Sequence, residues 1–117
     1  MNINIGIVGQ GFVGTAVREG LGKHFNIQTY DHDLSKSTCA TLHDLVTKTE
    51  IIFVCLPTPM SKNGECDTTI VRNTVKEINA MGHNRIVVIK STVPPGTTEQ
   101  LNKECDSISV VFNPEFL

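Results

Sequence analysis

The residues best suited to chemistry stand near the amino terminus, where Gly9-Gln10-Gly11-Phe12-Val13-Gly14 follows a short apolar run and opens an amphipathic one. Glycines at this spacing allow a tight turn at Gly9, a close backbone approach to a ligand at Gly11, and helix–strand contact without an intervening side chain at Gly14. An anion over such a turn meets unpaired N–H groups and the positive end of the following helix. A second group stands in register with the turn. Asp31 lies 22 residues beyond Gly9 (31 minus 9), near the separation at which a carboxylate accepts hydrogen bonds from the adenosine ribose of a dinucleotide. The same carboxylate repels a 2′-phosphate, and no Arg follows to reverse the preference, so the expected cofactor is NAD rather than NADP. An ordinary turn or cap role for Asp31, and Asp33 as the ribose ligand, stay open as alternatives.

Three further loops carry polar groups behind apolar runs. Leu56-Pro57-Thr58-Pro59 reads as a rigid extended turn that presents the Thr58 hydroxyl and local amides to a ligand, or simply ends a strand. Lys90-Ser91-Thr92-Val93-Pro94-Pro95-Gly96-Thr97 again places hydroxyls on a proline-stiffened loop, and the chain reads to its end through Asn113-Pro114-Glu115-Phe116-Leu117. The cysteines at 39, 55, 66 and 105 form no CxxC pair, and the histidines at 24, 32, 43 and 83 form no ligand-spaced cluster with them. No metal site is expected, and reduced thiols are. Cys55 reads as a small buried hydrophobe, whereas Cys39, Cys66 and Cys105 sit among more polar residues, and none has a basic neighbour marking it as a nucleophile.

The elements that must position these loops follow from periodicity. Apolar, β-branched runs at Ile3–Val8, Ile27–Tyr30, Ile51–Leu56, Ile86–Ile89 and Ile108–Phe112 predict five strands, and near-continuous runs of this kind suit a parallel sheet covered by helices. Between them, Phe12, Val13, Ala16, Val17 and Leu21 share one helical face, as do Ile70, Val71, Val75 and Ile78. Leu42, Leu45 and Val46 predict a shorter helix, and Thr97 to Gln100 spells a capping box for a fourth. The alternation predicts an α/β Rossmann-type open, mainly parallel sheet of about five strands with helices on both faces, whose ligands bind beyond the carboxyl ends of the strands.

Composition narrows the class. The 117 residues suit one domain, and 39% hydrophobic with 19% charged residues describes an ordinary globular chain. A net charge of −2 makes no case for nucleic acid or an anionic membrane. No window approaches the ~18 apolar residues of a membrane span, and no leader pattern opens the chain, so the cytoplasm is the default expectation.

Together the P-T-P turn at 57–59, the K-S-T-V-x-x-G-T run at 90–97 and N-P-E-F-L at 113–117, each behind an expected strand, resemble the UDP-glucose/GDP-mannose (nucleotide-sugar) dehydrogenase family over essentially the whole chain. The resemblance implies that Lys36 helps hold the adenosine ribose, that Thr58 and Thr92 lie beside the nicotinamide, and that Thr92 and Glu115 position a water near the reacting carbon, with Glu115 assisting acid–base steps. The expected cofactor set is Gly9, Gln10, Gly11, Phe12, Val13, Gly14, Asp31, Lys36, Leu56, Pro57, Thr58, Ser91 and Thr92, and the expected catalytic pair is Thr92 and Glu115.

The family oxidises the C6 hydroxymethyl of a nucleotide hexose, UDP-glucose first among the expectations, to a carboxylate with two NAD, through a covalent adduct on a cysteine. That cysteine belongs to a G-x-C-x-P-K segment which this sequence lacks, so the role passes to neither Cys55 nor Cys66. The chain is therefore expected to be the NAD-binding half of a longer, homo-oligomeric parent, interrupted at Leu117, binding NAD weakly and catalysing nothing alone. The 20 residues from Asp31 to Ile51 (51 minus 31) are fewer than the family usually places there, which leaves the sugar more open than the cofactor. Two other readings compete: a β-hydroxyacid or 6-phosphogluconate-type dehydrogenase domain, and a stand-alone NAD(H)-sensing module.

Overall fold

The computed structural model describes residues 3–114. Strands β1 (Asn4–Val8), β2 (Asn26–Tyr30), β3 (Ile51–Val54), β4 (Arg85–Ile89) and β5 (Ile108–Phe112) alternate with helices α1 (Phe12–Leu21), α2 (Leu42–Lys48), α3 (Thr69–Ala80) and α4 (Thr97–Glu104). All four strand pairings are parallel, in the order β2-β1-β3-β4-β5. The handedness of parallel crossovers then distributes the helices. The step from β1 to β2 runs one way along the sheet and every later step runs the other, so right-handed crossovers place α1 on one face and α2, α3 and α4 on the opposite one. The packing agrees: α2 lies on β1 and β2, α3 between α2 and α4, and α4 on β5.

The three-helix face holds the main core. Val8, Ile52, Val54, Val87, Ile89, Ile108 and Val110 point from the strands into Leu45, Val46, Val71, Val75, Ile78 and Leu101 of the helices. On the α1 face Ile5 and Ile7 are buried, but Ile86 and Val111 remain exposed. The period-2 alternation of β4 and β5 is thus an alternation between a covered and a less covered face.

Helix ends follow local chemistry. The Thr41 hydroxyl caps α2 by accepting from the Asp44 N–H at 3.1 Å. The capping box expected at Thr97 does not form. Gly96, at φ 89°, occupies the cap position in the left-handed region, and Thr97 is the first helical residue and buried. Two helical faces are also rotated from expectation. Gly14 is the buried residue of α1 and Phe12 is 80% exposed, because the helix docks through its glycine and turns the side bearing Phe12 and Ala16 outward. In α3 the core ridge is Val71, Val75 and Ile78, while Ile70 is 44% exposed.

Among the cysteines, Cys39 and Cys105 are buried and Cys55 and Cys66 partly so, all as free thiols. The pattern reverses the expectation for Cys39, Cys55 and Cys105. Sequence neighbours report little about burial where a short loop folds back on the sheet, as residues 38–39 do in donating to the Thr29 carbonyl. No helix of the described residues is long and apolar enough to cross a membrane.

Candidate functional site

The strand order reverses direction between β1 and β3, and there the loops leaving the two strands part and open a crevice at the carboxyl edge of the sheet. The floor is the glycine turn. Gly9, at φ 97°, lies so close to the β3 exit that a Cβ would sit 2.6 Å from the Cys55 carbonyl oxygen. At Gly14 a Cβ would fall 1.8 Å from the Gly9 carbonyl oxygen, so only glycine lets α1 fold back on the turn. Gly11 differs from both, since a Cβ there meets nothing within 4 Å. That position is open, and Gly11 is among the residues that line the crevice.

Gly11 is the N-cap of α1, with no side-chain cap and no acid in the first turn. The N–H groups of Phe12, Val13 and Gly14 are therefore the orphan donors of the helix, with the positive end of its dipole behind them. An anionic group over Gly11 supplies the missing acceptors, an arrangement that fits a pyrophosphate. The crevice has a volume of about 390 Å³ and is lined by Gly9, Gly11, Phe12 and Val13 from the turn, Asp31 and His32 after β2, and Cys55, Leu56 and Pro57 after β3.

Asp31 closes one end. Its Oδ2 accepts from the Gln10 N–H at 2.7 Å and its Oδ1 from the Asp33 N–H at 2.9 Å, and the exposed His32 ring has Nδ1 3.4 Å from Oδ1. Burial works against its ionisation, but the Gln10 and Asp33 N–H groups, with the charges of His32 and Lys36, outweigh it and hold the carboxyl below its usual range. A carboxylate offers about four acceptor sites, so two remain for ribose hydroxyls. The Asp33 carboxylate instead caps the short 3-10 turn Leu34–Lys36 through Ser35. Of the two candidate ribose acids, Asp31 is the one that lines the crevice. Lys36 sits in that turn, with its charge acting on both acids.

Gln10 turns inward: it is buried, its N–H serves Asp31, and its Nε2 donates to the Gly9 carbonyl at 3.2 Å. Ser91 is likewise buried, its hydroxyl donating to the Leu56 carbonyl at 2.6 Å, so it ties the loop after β4 to the loop after β3. Thr92 is exposed beside it. The Cys66 thiol donates to the Thr58 carbonyl at 3.7 Å or the Thr92 carbonyl at 3.5 Å, which places Thr58 and Thr92 on adjoining loops. Cys66 comes within reach because residues 59–67 fold into a small hairpin, with Asp67 N–H donating to Pro59 and Ser61 N–H to Glu65. The Lys90 ammonium, buried, donates to Asn113 Oδ1 at 3.3 Å and joins the K-S-T run to the N-P segment. Glu115 lies outside the described residues.

Sequence reasoning missed His32 and Cys55 as crevice residues, although His32 lies two residues past one expected strand and Cys55 is next to last in another. It also missed Cys66 as the thiol between two loops, because the hairpin that delivers it has no apolar periodicity. Among the described residues no three His, Cys, Asp or Glu groups converge on a metal-sized space. A larger cavity, of about 570 Å³, lies at the amino ends of the strands. It is a poor anion site, because Glu50 and Asp106 line it and its Arg85 guanidinium is engaged with the Val46 and Asn84 carbonyls.

The fold and crevice define a dinucleotide-binding α/β domain. Residues 29–117 match the UDP-glucose/GDP-mannose dehydrogenase family, NAD binding domain, and the chain belongs to that family. A UDP-glucose 6-dehydrogenase of Rickettsia bellii is 32% identical over 102 residues, covering 83% of this chain and 23% of the relative. The UDP-glucose 6-dehydrogenase TuaD of Bacillus subtilis is 39% identical over 80 residues, 62% of this chain and 17% of the relative. Among solved structures, a UDP-glucose dehydrogenase from Pyrobaculum islandicum matches the fold over 100% of this chain and 37% of its own, with a TM-score of 0.85 and 24% identity. A ternary complex of GDP-mannose dehydrogenase from Pseudomonas aeruginosa matches over 97% of this chain and 36% of its own, with a TM-score of 0.77 and 25% identity. The chain thus spans less than a quarter of the length of these curated relatives. It is an NAD-binding domain of the nucleotide-sugar dehydrogenase kind.

Proposed function

We propose that this chain supplies the cofactor half of an enzyme that oxidises the C6 hydroxymethyl of a nucleotide hexose, UDP-glucose first, to the uronic acid. Bound NAD accepts hydride in that chemistry. The turn Gly9 to Gly14 holds the pyrophosphate through the first-turn N–H groups of α1, and Asp31, with Lys36 at its side, accepts from the adenosine ribose hydroxyls. Leu56, Pro57 and Thr58 form the wall after β3. Ser91 ties that wall to the loop that carries Thr92, and Thr92 serves the reacting end of the cofactor with Glu115, whose role, implied by the family resemblance, is to take up and return a proton through a held water. The observation that carries the cofactor assignment is the open direction of Gly11 at an uncapped helix N-terminus, beside an ionised Asp31.

The hexose assignment rests on the UDP-glucose 6-dehydrogenases among the relatives and on the family's shared loops. The reaction also needs a nucleophilic thiol, which we assign to a partner segment or to a longer parent rather than to Cys55 or Cys66; these 117 residues alone are expected to give no NADH with NAD and UDP-glucose. Calorimetric titration with NAD and NADP tests the cofactor role. Saturable NAD binding at least about tenfold tighter than NADP is expected, equivalent to about 1.4 kcal/mol, and equal affinities would remove the Asp31 assignment.

A further inference from the structure

The loops after β3 and β4 are poor in the N–H groups that could tie one to the other. Pro57 and Pro59 flank Thr58, and Pro94 and Pro95 stiffen the second loop; each proline brings a carbonyl but no donor. The carbonyls of the first loop are met from outside it. Ser91 Oγ donates to Leu56 at 2.6 Å, the Cys66 thiol lies 3.7 Å from the Thr58 oxygen, and the Asp67 N–H donates to Pro59 at 2.8 Å. The same thiol lies 3.5 Å from the Thr92 carbonyl oxygen, so one side chain stands between both loops.

The hairpin of residues 59–67 holds that thiol in place without its help. The Ser61 N–H donates to Glu65 at 2.7 Å, Gly64 turns the chain at φ 84° and donates to Ser61 at 3.0 Å, and Met60 bridges Cys66 in antiparallel fashion. At the exit, Asp67 Oδ1 accepts from the Thr69 N–H at 2.9 Å, at the start of α3. The hairpin is thus closed on itself and anchored to a helix, with Cys66 on its returning arm. Removing the thiol leaves this framework whole.

Sheet order fixes which part of a ligand these loops meet. Along the order β2-β1-β3-β4 the Asp31 loop comes first, then the glycine turn, then the loops after β3 and β4. A dinucleotide with its adenosine ribose at Asp31 and its phosphates over Gly11 therefore extends its nicotinamide half toward the last two. We infer that Cys66 is a positioning residue: it sets the gap between the Thr58 and Thr92 loops and so shapes the nicotinamide half of the site, with no part in holding the adenosine or the phosphates. The inference rests on the NAD reading of the crevice. Cys66 does not line that crevice, so it acts through the two loops. A thiol is a weak donor with a single proton, which the two carbonyls share or exchange, and the tie narrows the gap without locking it.

The test is calorimetric titration of the 117-residue chain, as wild type, Cys66→Ala and Cys66→Ser, with NAD and with ADP-ribose, which keeps the adenosine and both phosphates but lacks the nicotinamide. Cys66→Ala is expected to bind NAD about threefold to fivefold more weakly than wild type, the worth of one modest hydrogen bond, and to bind ADP-ribose as wild type does. Cys66→Ser keeps an O–H donor and is expected to recover most of the lost NAD affinity. Unchanged NAD affinity in Cys66→Ala overturns the inference and leaves the NAD reading standing. An equal loss for both ligands also overturns it, since that is the mark of a merely structural role, and so does a loss that serine fails to restore. Binding of neither ligand by the folded wild type overturns the NAD reading as well.

Discussion

Gly11 and Gly14 are the same residue type three positions apart, yet they carry opposite obligations. A methyl group at Gly14 collides with the Gly9 backbone, whereas one at Gly11 points into open space. Gly14→Ala is therefore expected to destabilise the fold by about 2–3 kcal/mol, lowering Tm by more than about 8 °C in a thermal melt of a domain this size. Gly11→Ala should melt with the wild type and bind NAD at least about tenfold more weakly, a loss of about 1.4 kcal/mol. Unchanged NAD affinity in the stable Gly11→Ala protein would place the phosphates elsewhere. Asp31 adds a pH dependence. Its carboxyl is held below the usual range in the folded state, so the stability it contributes is present above its unfolded pKa, about 3.9, and is lost as pH falls through the lower folded value. Asp31→Asn should flatten the acid limb of a Tm-against-pH curve between those two values. The glycines and Asp31 were legible in the sequence because backbone geometry demands particular residue types at fixed offsets. The exposure of Ile70 was not legible, since nothing local says which ridge of α3 faces the sheet.

At the scale of elements, the loops at the carboxyl edge are held by side chains that serve other loops. Ser91 donates to Leu56, Lys90 to Asn113, and Cys66 to Thr58 or Thr92. Ser91→Ala leaves the Leu56 carbonyl without that donor and is expected to cost about 1 kcal/mol in denaturant unfolding, with NAD affinity falling because the wall after β3 loses its anchor. An unchanged stability would mean that the two loops hold their spacing without Ser91. Among the described residues periodicity located the five strands, with boundaries shifted by up to two residues, and the first three helices, whereas the fourth helix was expected from a capping box that does not form. It misjudged the rotation of α1, because a 3.6-residue repeat shows which residues share a face but not that a glycine-mediated contact at Gly14 turns that face partly outward.

For the molecule as a whole, the sheet order separates two kinds of surface. Three helices seal one face, while the other is covered by α1 and leaves Ile86 and Val111 exposed. Alternation of strands and helices made the parallel sheet readable in advance. The order β2-β1-β3-β4-β5 and the resulting switch point between β1 and β3 needed the folded chain, because strand adjacency is a long-range property. The switch point positions the proposed site, as it brings Gly9, Gly11–Val13, Asp31 and Leu56–Pro57 around one crevice, although a larger cavity lies at the opposite edge. Amide chemical-shift mapping during an NAD titration separates the two ends of the sheet in a single experiment. The account predicts shifts concentrated at Gly9 to Gly14, at Asp31 to Asp33 and at Leu56 to Thr58. Shifts confined to Asn84–Ile86 and Asp106–Ser109 would contradict it.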